Sequence, residues 1–404
     1  MSKPLVFLCI SCYFKGSDFL RASKKIGNTV YLLTSKNLEN SPWPKESIEE
    51  FFFMESDANT PENMANMAKG LAWLMRTKKI DRIVALDDFD VEKAAYLREE
   101  FRIPGMGQTT ARYFRDKLAM RIMAADAGIP VPPFSALFHD ADIRKFVEQV
   151  PAPWVVKPRA EASATGIRKV NSAEALWQVL NDLGDDRHKY LIEQFKPGAV
   201  YHADALTIDG KVKFCRVSQY LNTPFEVAHG GGIFRSHTVE FGSKDDKAVQ
   251  KFNEKVMKAF GMQFSASHTE FIRSLEDDKF YFLETSSRVG GAHVAEMVEM
   301  SSGISLWWEW ARIETAMAQD IPYQLPPVRN DYAGILVSLS RFQHPDLSPF
   351  DDPEIVWRMD KDYHVGLIIR SNRRERILEL LDNYAERVFQ GYHASAPAPD
   401  KPTH

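Results

Sequence analysis

The 404-residue sequence predicts a mixed fold, α/β in its first quarter and α+β beyond it. Three observations predict it. Apolar strand-like runs alternate with helically periodic ones through the first hundred residues, the rhythm of a parallel sheet with helices on its faces. Two hairpin signals come later, Asp209-Gly210 and Asp277-Asp278-Lys279, and hairpins mean antiparallel pairing. A proline-rich stretch at 322–327 then sets off a last βββα pattern. A chain of this length accommodates two or three domains or one composite enzyme.

Residues 5–11 read as a strand, 17–25 as a helix, 29–34 and 48–54 as strands. Residues 61–78 form a helical pattern, with Met64, Met67, Ala68, Leu71, Leu74 and Met75 at helical spacing. Residues 80–86 read as a strand and 91–101 as a helix. Asp87, Asp88 and Asp90 fall between them, where parallel sheets bind ligands and where an acid also caps a helix. Beyond residue 110 helices are expected at 111–127 and 141–150, with the stiff segment Gly128-Ile-Pro-Val-Pro-Pro133 between them. A strand at 154–158 ends on Lys157 and leads into a small-residue loop, 159–166. Helix 173–183, strand 190–195, the hairpin strands 200–208 and 211–221, and helix 244–260 follow. The second hairpin comes next, then helices at 292–300 and 304–319. The last pattern comprises strands at 333–341, 355–359 and 364–370 and a helix at 373–389. Domains are therefore expected at 1–110, 111–320 and 321–391, with a disordered tail at 392–404.

Composition excludes several classes. The net charge of −4 carries no nucleic-acid footprint. No apolar run is long enough to span a bilayer, and the apolar start at 5–10 is too short for a signal peptide. Cys9-Ile-Ser-Cys12 has redox spacing but begins within a strand, and no second pair completes a zinc site, so these thiols read as structural. The expected compartment is the reducing cytoplasm. The first strand lacks the G-x-G-x-x-G that a dinucleotide requires.

The stretch richest in chemistry is Phe280-Tyr-Phe-Leu-Glu-Thr-Ser-Ser-Arg-Val-Gly-Gly-Ala-His293. Its strand carries Glu284. The preceding strand, His268-Thr-Glu-Phe-Ile272, carries Glu270. Neighbouring antiparallel strands can aim two such carboxylates at one point. With Arg288 beyond them, the pair suits Mg²⁺ and a polyphosphate, although a surface hairpin with solvated acids has the same pattern. Lys157, closing an apolar strand before a small-residue loop, reads as functional. Lys117 alone reads equally well as a surface lysine.

In order, Lys117, Val155-Val-Lys157-Pro with its loop Ala160-Glu-Ala-Ser-Ala-Thr-Gly166, Glu193-Gln-Phe-Lys-Pro-Gly198 leading to Tyr201-His-Ala-Asp204, and Glu270, Glu284 and Arg288 resemble the ATP-grasp superfamily over residues 111–318. The resemblance implies a Rossmann-like pre-ATP-grasp domain, an ATP-grasp domain and a small C-terminal α+β lobe. It implies ATP and Mg²⁺ (or Mn²⁺) as cofactors. Lys117 and Lys157 would meet the phosphates, with the loop bearing Ser163, Thr165 and Gly166 folded over them. The backbone of Glu193, Gln194 and Phe195 would read adenine, with Phe195 equally readable as core. Asp204 would lie near the ribose, its alternative being an acid on an exposed strand face. Glu270 and Glu284 would hold the metal, and Arg288, with Lys157, would serve catalysis. Two departures stand out. The family's Glu-x-Asn-x-Arg reads Glu284-Thr-Ser286-Ser-Arg288 here, leaving the third ligand to a serine hydroxyl or to another group, and Gly166 is the phosphate loop's only glycine.

The segment Arg288-Val-Gly290-Gly291-Ala-His293 resembles that of ATP-grasp amino-acid ligases, where the glycines face the acyl substrate. The run from Val227 to His237, with His229 and Arg235 beside three glycines, reads as a substrate loop or as a solvated glycine-rich turn. The function this implies is ATP-dependent carboxylate–amine ligation through an acyl-phosphate, with small-molecule acid and amine as partners and neither nucleic acid nor membrane. The rivals are an ATP-grasp carboxylase, a hydroxyl- or enol-phosphorylating enzyme, and a nucleotide binder without turnover. Similar enzymes are commonly homodimers, so a homodimer is the assembly the resemblance allows.

Overall fold

The computed structural model describes residues 4–55, 59–161, 165–223, 227 and 231–395. The first element set is β1 (Val6–Ser11), α1 (Ser17–Ile26), β2 (Thr29–Ser35), β3 (Glu50–Met54), α2 (Pro61–Leu74), β4 (Arg82–Ala85) and α3 (Val91–Glu100). Its strands form a parallel sheet in the order β3-β2-β1-β4. Cys9 and Cys12 are buried free thiols, and burial pushes both far above the usual range, so they are inert packing groups.

Next come α4 (Gln108–Arg112), α5 (Lys117–Asp126), β5 (Phe134–Ala136), α6 (Asp140–Gln149), β6 (Trp154–Pro158), β7 (Arg168–Val170), α7 (Ala173–Leu183) and β8 (Tyr190–Gln194). The strands make an antiparallel sheet, β5-β8-β6-β7. The single helix expected at 111–127 is two. Asp116 leaves the helical region at φ −104, ψ 72, and its carboxylate caps α5 at the Ala119 amide, which stops one helix and starts the next.

The third set is β9 (Gly198–Ile208), β10 (Lys211–Tyr220), β11 (Phe234–Thr238), α8 (Lys244–Ala259), β12 (Ser265–Ser274), β13 (Phe280–Ser286), α9 (Val294–Ser302), α10 (Leu306–Gln319), β14 (Tyr332–Leu339), β15 (Ile355–Arg358), β16 (His364–Ser371) and α11 (Arg374–Gly391). One eight-stranded sheet runs β13-β12-β9-β10-β11-β14-β16-β15. Asp209 and Gly210 turn between β9 and β10 with φ of 51° and 67°, the positive pair a tight hairpin needs. The last βββ pattern was expected to stand as its own lobe. Its strands instead extend this sheet, because β14 pairs with β11 from Gly334–His237 to Val337–Phe234. Gly334 lets α11 sit directly on the sheet, since a Cβ there would lie 2.7 Å from Ile377. The start of the expected tail is docked too: the Ala394 amide donates to the Leu339 carbonyl. The rest of that tail, 396–404, lies outside the described residues. The N-terminal sheet is fixed to this body through α1 and α10, where Phe19 meets Trp310 edge to face at 5.0 Å. No helix among the described residues is long and apolar enough to cross a membrane.

Candidate active site

Between the β5-β8-β6-β7 sheet and the β13-β12-β9 edge lies a cavity of about 360 Å³. Lys117, Lys157, Thr165, Glu193, Gln194, Phe195, Glu270 and Glu284 all line it. Its apolar wall includes Pro132, Val155, Ile167, Val200, Ile272 and Leu283. Apolar and charged side chains thus line the same cavity.

Strand register builds the charged lining. Val155 on β6 faces Glu193 on β8, so Lys157, two residues on, reaches Glu193 diagonally at 2.5 Å. Arg121, fully buried on α5, holds the other Glu193 oxygen at 2.8 Å. Burial would raise the Glu193 carboxyl, but Arg121 and then Lys157 override it and hold it below the usual range. Two cations share one anion here. Burial, with the Arg121 charge added, lowers Lys157 to about 8.

The hairpin delivers the carboxylate pair as its pattern implied. Glu270 and Glu284 are direct cross-strand partners, and Ser286 follows opposite His268. Thr269 and Thr285 bond at 2.8 Å and are buried, as the alternation of faces requires. Lys117 bridges to Glu284 at 2.8 Å and to the Glu161 carbonyl at 2.6 Å. Burial opposes ionisation of Glu284, while Lys117 and Lys157 outweigh it and keep the carboxyl low. Tyr220 donates to Glu270 at 2.9 Å.

Arg288 stands further along. Its Nη1 donates to the Val289 carbonyl, and its Nε and Nη2 both engage Asp88 at the end of β4. Burial would raise Asp88, yet Arg288, Arg115 and Lys15 hold it well below the usual carboxylate range. The neighbouring acids have local duties. Asp87 caps the Phe89 amide and pairs with Lys15 at 2.6 Å, and Asp90 accepts from the Cys12 amide.

Several expected site residues lie elsewhere or are otherwise engaged. Asp204 is buried and does not line the cavity, because its two oxygens take His202 at 2.7 Å and His268 at 2.8 Å. Those histidines hold the Asp204 carboxyl far down against the effect of burial, and His268, against its own burial, is raised to about 10, chiefly by Asp204. Arg235 sits on β11 and turns to Asp382 of α11 at 2.7 Å and to Asn222 at 3.1 Å, away from the cavity. The Gln194 and Phe195 amides donate to the carbonyls of Pro133 and Pro153, so these two donors are engaged within the fold. Gly290 is a packing glycine, since a Cβ there would lie 2.8 Å from Asp204 Oδ1 and 2.9 Å from His268 Nδ1. Nothing crowds Gly291, and Gly166 turns beside Pro158 with φ of 70°. Ser163 and His229 lie outside the described residues.

Arg121, Tyr220, His202 and His268 were missed as site-forming residues. Arg121 had a signal, since it lies one helical turn after Lys117 on the same face of α5. The other three become a cluster only through the β12-β9-β10 register.

A model of the D-ala D-ala ligase C-terminus family matches residues 123–219. The L-arginine-specific L-amino acid ligase of Bacillus subtilis is 26% identical over 243 residues, 58% of this chain and 57% of that protein. The match therefore spans less than two thirds of that relative. An L-amino acid ligase structure from Bacillus licheniformis aligns with a TM-score of 0.72 at 17% identity, covering 97% of this chain and 99% of that one. The biotin carboxylase domain dimer of Hydrogenobacter thermophilus 2-oxoglutarate carboxylase, in complex with MgADP, ADP and bicarbonate, aligns at 0.71 with 16% identity, covering 98% and 91%. The chain shares the fold of these solved structures, and its sequence relatives include an L-amino acid ligase and D-alanine–D-alanine ligases.

Proposed function

We propose that the protein is an ATP-dependent ligase that joins the carboxylate of one amino acid to the amine of a second substrate. One observation carries this: two lysines and a directly opposed carboxylate pair line one cavity together with apolar side chains. Adenine fits the apolar wall. Lys117 and Lys157 turn to the phosphates, leaving the Glu284 and Glu193 carboxylates that pair with them. The loop carrying Thr165 and Gly166 closes over the phosphates.

Glu270 and Glu284 fit Mg²⁺, because they are hard oxygen donors held opposite each other by strand pairing, and Ser286 on the same face offers a hydroxyl. Mg²⁺ bound there supplies neutralising charge for the phosphates. The substrate carboxylate attacks the γ-phosphorus, forming an acyl-phosphate and releasing ADP. The amine then attacks the acyl carbon and expels phosphate, leaving an amide. Arg288 steadies the charge on the transferred group. The chain's own work is positioning and charge opposition, so no covalent nucleophile is required.

The test is an amino-acid pair screen with Mg-ATP, reading ADP, phosphate and product mass. Equal amounts of ADP, phosphate and amide are expected. ADP release that depends on bicarbonate, without an amide, would replace ligation with carboxylation. Mg-ATP binding with no ADP release under any pairing would leave only a nucleotide binder.

A further inference from the structure

The Asp88–Arg288 contact is odd for a structural clamp. Asp88 is only 5% exposed, and a single oxygen, Oδ2, receives both guanidinium nitrogens. The other oxygen, Oδ1, is buried with no hydrogen-bond partner among the described residues. A buried carboxylate oxygen without a donor costs free energy that a structural pair would ordinarily recover by taking the fork with both oxygens. Its surroundings are nonetheless cationic, with Arg288, Arg115 and Lys15 all within electrostatic reach. Arg288 lies two residues past the end of β13, the strand that carries Glu284, and holds Asp88, so the pair stands beyond the carboxylate end of the cleft without lining it.

An α-amino acid carries a carboxylate and an ammonium side by side. Inserted between Asp88 and Arg288, it replaces one ion pair with two, its carboxylate on the guanidinium and its ammonium on the aspartate. Oδ1 then gains the donor it lacks. A plain carboxylic acid can make only the first of these contacts and leaves Asp88 buried beside a vacated position. We propose that Asp88 is the residue that selects an α-amino acid as the acid substrate, exchanging Arg288 for the substrate's ammonium. This rests on the ligase reading above. It makes the Asp88–Arg288 pair a substrate position that the substrate itself opens.

The test holds the amine side constant by supplying hydroxylamine to trap the activated acid as a hydroxamate. With Mg-ATP, hydroxamate and ADP formation are compared for L-alanine against propionate, L-leucine against 4-methylpentanoate, and L-phenylalanine against 3-phenylpropionate. Wild type should favour the amino acid of the pair it accepts by about a hundredfold in kcat/KM, the scale on which a site rejects an analogue that leaves its buried polar group unmatched. Asp88→Asn should collapse that ratio to within about threefold through loss on the amino-acid side, while Mg-ATP stabilises the variant against heat as it does wild type. Asp88→Glu keeps the charge and should keep most of the preference, whereas a purely structural role makes the bulkier glutamate the worse substitution. Hydroxamate formation with no preference in wild type, or with a ratio unmoved by Asp88→Asn, overturns this inference and leaves the ligase reading standing. Absence of ADP release from every acid sinks the ligase reading and this inference with it.

Discussion

The Lys157–Glu193 cluster that lines the cleft and the Asp88–Arg288 pair beyond it use the same chemistry and are assembled in different ways. In the first, Lys157 and Glu193 are diagonal neighbours across paired strands, and Lys117 and Arg121 share one face of α5. In the second, Arg288 meets Asp88 across 200 residues of sequence, each at the end of a strand in a different sheet. Ladder hydrogen bonds fix the strands that carry Lys157 and Glu193, so the backbone of this cluster keeps its place when the lysine side chains turn to a ligand. Side chains alone join the second, so it can part without disturbing a strand. On the ligase reading, the difference separates a proposed phosphate site built on strand pairing from a proposed substrate site that can part.

The sharpest way to break that division is at the hairpin. Glu284→Gln should reduce turnover by about a thousandfold, since opposing developing charge is worth most in the transition state. Nucleotide binding should weaken far less, because Lys117 loses its partner and remains available to the phosphates. ADP release and thermal stabilisation by Mg-ATP, measured side by side, check this. Turnover near the wild-type rate would remove the carboxylate pair from the chemistry.

Glu193→Gln probes how structural the lysine cluster is. It leaves Lys157 and Arg121 as two buried cations without their shared anion. Loss of one partner from a buried network costs about 3–5 kcal/mol, so the denaturation midpoint should fall accordingly. Replacing Lys157 by Met in the same background should recover part of the loss. An unchanged midpoint would show that the triad is not what holds β6 and β8 against α5.

The contrast also explains what could be read from the residues. Hairpin turns and strand alternation announce Glu270 opposite Glu284, and a lysine closing an apolar strand announces Lys157, because register follows from local pattern. Sequence does not announce the histidines that capture Asp204, the α11 aspartate that captures Arg235, or the joining of β14 to β11. Each depends on which strands become neighbours across long connections. Asp88 was legible only as one of three acids at a strand end, and choosing among them required seeing Lys15 take Asp87 and the Cys12 amide take Asp90.

A smaller effect concerns protons. Lys157 is lowered to about 8, so below that pH it presents a charge to the phosphates. Above it the lysine is neutral, and binding must take up a proton. The Kd for Mg-ATP should therefore rise with pH beyond that point, approaching about tenfold per unit. Lys157→Arg, which stays charged, should flatten the rise. Calorimetric titration in buffers of different ionisation enthalpy reports the proton uptake directly. A flat Kd in wild type would place the phosphates away from Lys157.

The smallest effect is expected where the sequence pointed to a substrate anchor. Arg235 beside glycines and histidines has the composition of a carboxylate clamp, but its guanidinium holds Asp382, whose side chain is 75% exposed. A pair so open to solvent contributes at most about 1 kcal/mol. Arg235→Gln should lower the midpoint of unfolding by no more than that, and Asp382→Asn should do the same. The double variant should cost less than the two singles together, because the loss is one shared contact. The KM values for both substrates should stay within about twofold of wild type, since a surface change distant from the chemistry leaves transition-state contacts intact. A KM for the acid raised by tenfold or more in Arg235→Gln, with Asp382→Asn silent, would mean that the arginine leaves α11 when substrate binds. The exchangeable character assigned to Asp88 and Arg288 would then extend to β11, and the acid would be held from both sides of the sheet.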